Sequence, residues 1–165
     1  MMLRITKIIL VVSIAMWALL GALGNVVDWQ GTTGAVQAAT SMSTFDPVPA
    51  SGRATSNPLV ILLGALLITL FKVLTGALCL VGAWQMWLAR AADGKQFAKA
   101  KTFALTGCGV AMFMLFAGWI VIAETWFELW RSPAMLDPVL GSAFRYCGTI
   151  GVIAIFVGAR EESGY

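Results

Sequence analysis

The chain contains no histidine at all. That excludes bis-histidine haem ligation, histidine-based zinc or copper sites, and a histidine base in a catalytic triad. Charge is scarce too, at 12% of 165 residues, about half the share usual in a soluble domain. The three cysteines, Cys79, Cys108 and Cys147, lie inside apolar runs with no paired spacing, so packing is their expected role and neither a disulfide framework nor a metal site is expected. No metal or cofactor is predicted. There is no low-complexity tail and no repeat of solenoid length.

What fills the chain instead is apolar: 59% of its residues, with a mean hydropathy of +0.86. A helix needs roughly 20 apolar residues to cross the hydrocarbon, and four runs are that long, at about residues 5–27, 59–88, 103–123 and 139–158. Barrel strands would be shorter and alternating, so helices are the spanning option. We expect an all-α fold, a four-transmembrane-helix antiparallel bundle forming one membrane domain over residues 1–165. The first run resembles a signal peptide at its basic start, but it is long for one and is read as a retained anchor.

A formal charge of +3 suggests an acidic partner only in a soluble protein, and no basic face of the kind that binds nucleic acid is visible. Position is more informative. Arg4 and Lys7 precede span one; Arg90, Lys95, Lys99 and Lys101 sit at the connection between spans two and three; Arg160 follows span four. The other two connections hold only Arg53 and Arg131. By the positive-inside rule both termini are cytoplasmic, in a membrane the chain crosses several times. This leaves a long first outer loop, from about Asp28 to Asn57, expected to cap the bundle or contact another protein.

In "ARAADGKQFAKAK" (89–101), Asp93-Gly94 can supply a helix stop, giving a tight hairpin between spans two and three. Trp84 and Trp87 at one end, and Trp119, Trp126 and Trp130 at the other, suit interfacial anchors. "ETWFELWRSPAMLDP" (124–138) has the spacing of a short amphipathic outer helix, with Trp126, Phe127, Trp130 and Arg131 as a candidate docking segment. Gly107, Gly109, Gly118, Gly148 and Gly151 would let spans three and four pack closely.

Lys72 stands out in the apolar string "ITLFKVLTGALC". It lies 18 residues from Arg90, roughly 27 Å along a helix and somewhat beyond the midplane. The same 18-residue count reaches Asn25 from Lys7, Trp119 from Lys101 and Ser142 from Arg160. Arg145 lies a turn further in, and Asp28 and Glu124 lie further out. Asn25, Asp28, Lys72, Glu124 and Arg145 are therefore the candidate intramembrane polar cluster, either a dry pin of helix register or a wet site.

In chain order, "GNVVDW", "SMSTF", "TGALCLVGAWQMWLARA", "FAKAK", "WFELWRS" and "AFRY…IGVIAIFV" resemble the domain of unknown function 2165 family, bacterial small integral membrane proteins with four spans. The resemblance covers about residues 4–159 and implies a fold and a location, with no activity attached. The family pattern carries acidic residues at the positions of Lys72 and Thr125, and this chain departs at both. With no redox or nucleophilic constellation, the leading expectation is a non-catalytic accessory or assembly subunit of a larger membrane complex. A small transporter or channel component using the polar cluster is the alternative, and a lipid- or quinone-modifying enzyme has thinner support. Expected partners are membrane lipids and other membrane subunits, or further copies of the chain.

Overall fold

The computed structural model describes residues 1–45 and 52–160, and no strand occurs among them. Part of the expected outer loop and the tail after Arg160 lie outside the described residues. Four helical stretches are long and apolar enough to cross a membrane: Met2–Val27, Pro58–Leu88, Gly94–Trp126 and Leu136–Gly158. Helices meet the constraint hydrocarbon imposes, because each satisfies its backbone hydrogen bonds internally.

Helix α1 (Met2–Val27) lies along α3 (Pro58–Leu88), and α3 lies along α5 (Thr102–Phe113). Helix α6 (Ser142–Gly158) packs on α5 and the segment after it, and touches α1 only lightly. The α3–α5 contact is the closest. A Cβ on Gly82 would collide with the Ala104 backbone, and one on Gly107 would come within 2.6 Å of Cys79 Sγ. Of the glycines expected to serve packing, Gly107 does so, and Gly151 meets Met112 at ordinary contact distance. Gly109, Gly118 and Gly148 face open space. Cys79 and Cys108 are free and buried at this contact, where the Cys79 thiol donates to the Ala104 carbonyl at 3.9 Å.

Three connections differ from the sequence expectation. Residues 29–41 of the first outer connection form a helix, α2 (Trp29–Ser41). It follows α1 after a kink at Asp28, whose side chain accepts from Gly31 N at 2.9 Å and caps the new helix. Asp93 likewise starts a helix rather than stopping one. It caps α4 (Gly94–Ala100) through Gln96 N at 2.8 Å, so "FAKAK" belongs to the rod of span three and the turn is confined to residues 89–93. Beyond α5 that rod turns π-helical over Met114–Trp126, and a second π-helical stretch, Leu136–Gly141, leads into α6. The segment between them is no continuous amphipathic helix. The chain breaks at Glu128, in the left-handed conformation at φ 53°, then makes a short 3₁₀ turn, Leu129–Arg131.

Basic residues gather at one end of the bundle. Arg4 Nη1 donates to the carbonyls of Arg90 (3.0 Å) and Ala92 (2.6 Å), and its guanidinium lies 4.6 Å from the Phe97 ring centre. Lys7 and Lys101, both buried, donate to the carbonyl of Ala159, the C-cap residue just past α6, over 3.2 and 2.9 Å. The final carbonyls of a helix lack intrahelical donors and carry the negative end of its dipole, so two ammonium groups are well placed there. Between this end and the level of Lys72 runs the main core, built from Ile8, Val11, Ala83, Met86, Ala104, Cys108 and their neighbours.

Candidate functional site: a cavity at Lys72

Lys72 projects from α3 toward α1, into a cavity of about 570 Å³. Trp17, Gly21 and Asn25 of α1, Thr32 of α2, Trp119 of the long π segment and Ser142 and Tyr146 of α6 line it, among others. The rings of Trp17 and Tyr146 meet 5.2 Å apart and join α1 to α6 across it. Both π-helical stretches contribute wall, through Met114, Leu115 and Trp119 and through Pro138 and Val139. Such stretches, with i→i+5 bonding such as Phe127 N to Ile122 O at 3.0 Å, are rare and occur disproportionately at functional sites.

The Lys72 ammonium donates to Asn25 Oδ1 at 3.1 Å and to the Gly21 carbonyl at 3.4 Å. Gly21 allows this approach, since a Cβ there would stand 3.3 Å from the ammonium. A second layer of bonds fixes Asn25. Its Nδ2 donates to Thr69 Oγ1 at 3.3 Å, Thr69 donates to the Ala65 carbonyl at 2.9 Å, and Thr32 Oγ1 donates to the Asn25 carbonyl at 3.1 Å, tying α2 back over the kink. Asn25 thus turns its amide oxygen to Lys72. An ammonium has three N–H donors, and two find acceptors here.

Of the candidate polar cluster, the structure brings Lys72 and Asn25 together and leaves the other three apart. Asp28 is exposed and occupied as the cap of α2. Arg145 is exposed, bonding Ser142 one turn back at 3.0 Å. Glu124 is half-buried on the π-helical segment, where no ion pair joins it to a cation among the described residues. Tilt and kink decide this: counting along the helices puts the five at neighbouring depths, but of the five only Asn25 and Lys72 line the same interhelical space. Sequence reading missed Trp17, Thr69 and Tyr146; it read Trp119 first as an interfacial anchor, while its count from Lys101 put the same residue at the level of Lys72, where it lines the cavity.

A second, apolar cavity of about 290 Å³ adjoins the first and extends away from the basic end between α2, α3 and the long π segment. Ile68, Met114 and Trp119 line both. Its floor rests on a smaller core of Ala39, Met42, Phe45, Ala123, Phe127, Leu129 and Leu140. Here the candidate docking segment folds onto the chain's own first outer connection. Phe127 is buried, Thr44 and buried Ser132 share a 2.7 Å hydroxyl bond, and Glu128 bridges Arg53 and Arg131. Those two guanidiniums hold the Glu128 carboxyl below its ordinary range, Arg131 contributing most. Trp126 and Trp130 remain outside, exposed by 55% and 56%.

Fold and cavity together define a four-helix membrane protein with one ammonium group held inside an interhelical cavity. The profile of the family described as predicted small integral membrane protein, domain of unknown function 2165, matches residues 3–160, and the chain belongs to that family. It is an integral, multi-pass membrane protein. No curated protein and no solved structure matches it. Strings that carried the resemblance in sequence meet in space: Thr44 and Phe45 of "SMSTF" contact Ser132 and Arg131 of "WFELWRS", at 2.7 Å and 5.8 Å.

Proposed function

We propose that the chain is a non-catalytic accessory subunit of a larger membrane complex, and that its Lys72 cavity binds an anionic group. The supporting observation is the company Lys72 keeps: an amide, a backbone carbonyl and aromatic walls, with no carboxylate among the described lining residues. An ammonium in that setting recognises charge, whereas catalysis needs a nucleophile or base beside it. The basic end, with its clustered Arg and Lys, faces the cytoplasm of a bacterial inner membrane in this reading, and the capped outer segment faces away. Trp126 and Trp130 offer rigid aromatic surface for a neighbouring subunit.

The test is gentle purification from the native membrane. A stoichiometric larger partner supports the reading; a homo-oligomer alone counts against it. The transporter-component alternative draws on the same cavity, an aqueous-sized space at intramembrane depth. The packed core between cavity and basic end weighs against a pore through one copy. Flux lost in Lys72→Met at unchanged abundance would favour transport.

A further inference from the structure

We propose that the two adjoining cavities form one site for a long-chain carboxylic acid, its carboxylate on Lys72 and its chain in the outer apolar slot. The inference rests on the reading of the Lys72 cavity as an anion site and deepens it by naming the ligand class. Three observations carry it.

The first is charge. Asn25 and Gly21 supply neutral oxygens to Lys72 and use two of its three donors, so the cavity holds a cation that its lining does not neutralise among the described residues. A carboxylate completes both the charge and the donor count. The Ser142 hydroxyl and the Tyr146 phenol line the same space as further donors to its oxygens.

The second is continuity. Ile68, Met114 and Trp119 line both the polar cavity and a slot whose other lining includes Val36, Leu67 and Phe71, apolar almost throughout. A head without a chain would leave this slot unused. Gly118 lines the slot and has nothing within 4 Å of where a Cβ would stand, so a larger side chain has room there.

The third is depth. Lys72 is 14 residues into α3, roughly 21 Å from its outer end. A carboxylic acid crosses hydrocarbon in its uncharged form, whereas a phosphodiester head carries its charge all the way and bears the full desolvation cost. Depth therefore selects the acid over an acidic phospholipid.

The experiment uses the full chain in phosphatidylcholine nanodiscs, with a fatty acid bearing a photoactivatable diazirine in its chain. Labelling is expected on peptides containing Ile68, Met114 or Trp119. Palmitate should displace the probe, and methyl palmitate should not. Lys72→Met should weaken binding about tenfold, the scale of one lost charge-assisted contact, with Lys72→Arg retaining much of it. Gly118→Leu should weaken it as well by filling the slot, without touching the charge; if Lys72→Met fails to fold, this variant and the ester comparison decide. Equal displacement by the methyl ester overturns the ion pair, displacement by phosphatidylglycerol overturns the acid class, and displacement by acetate overturns the chain. The two readings fail separately. Labelling that persists when no partner co-purifies removes the subunit reading alone, and a partner that co-purifies with an unlabelled chain removes the ligand alone.

Discussion

The two ends of this bundle treat lysine in opposite ways. At the basic end, Lys7 and Lys101 are fully or almost fully buried and both close on the carbonyl of Ala159, the C-cap of α6. At the cavity, Lys72 is half-buried, with an amide and one backbone carbonyl from α1 and open space beside them. The first arrangement sits among glycine-spaced, tightly packed α-helices, the second among π-helical walls that stand apart. Burial of a charge stabilises when its partners are fixed by the same packing that buries it. Where the walls do not close, the charge is left facing space that a ligand can fill.

That contrast can be broken from its packed side first. Gly82→Val should cost about 3 kcal/mol or more, since the α3–α5 backbones have no room for it. Thermal unfolding in detergent would read the loss, and a near-neutral result would remove the close contact. Next comes Lys101→Met, expected to cost about 2 kcal/mol by leaving the α6 terminus short of a donor. Combined with Lys7→Met it should be non-additive, because both serve one carbonyl.

Lys72→Met should change stability by less than about 1 kcal/mol, since its acceptors are neutral and its cavity is open. A loss as large as that of Lys101→Met would make Lys72 a register pin and erase the difference between the ends.

The smallest effect belongs to the outer strap. Arg131 and Arg53 lower the Glu128 pKa in the folded state, so the contact adds stability above the ordinary carboxylate range. That contribution declines as pH falls through that range toward the lowered value. The acid limb should appear in Trp126 fluorescence, with Arg53 lying 5.8 Å from that ring, and should be absent in Glu128→Gln. A limb that survives the substitution would assign it to another group.

Much of the site was legible from counting. Equal offsets from the basic edges placed Asn25, Lys72, Trp119 and Ser142 at one level, and all four line the cavity. Counting could not separate Asp28, Glu124 and Arg145 from them, because depth along a helix says nothing about facing. Asp28 was also read as a member of the intramembrane polar cluster when its local role is a cap, a role shared by Asp93 at the start of α4. The π-helical walls left no mark in the apolar pattern, which is equally compatible with α-helix.

Composition and run length determined by themselves that this chain crosses a membrane four times as helices, because hydrocarbon admits little else. The clustering of basic residues at one end was equally plain, since charge position along a chain with four spans fixes which connections share a side. Which lysine is capped and which faces a cavity was decided only by tertiary structure. That outcome depends on where a kink at Asp28, a glycine at Gly21 and two changes of helical winding let the backbones close or hold them apart.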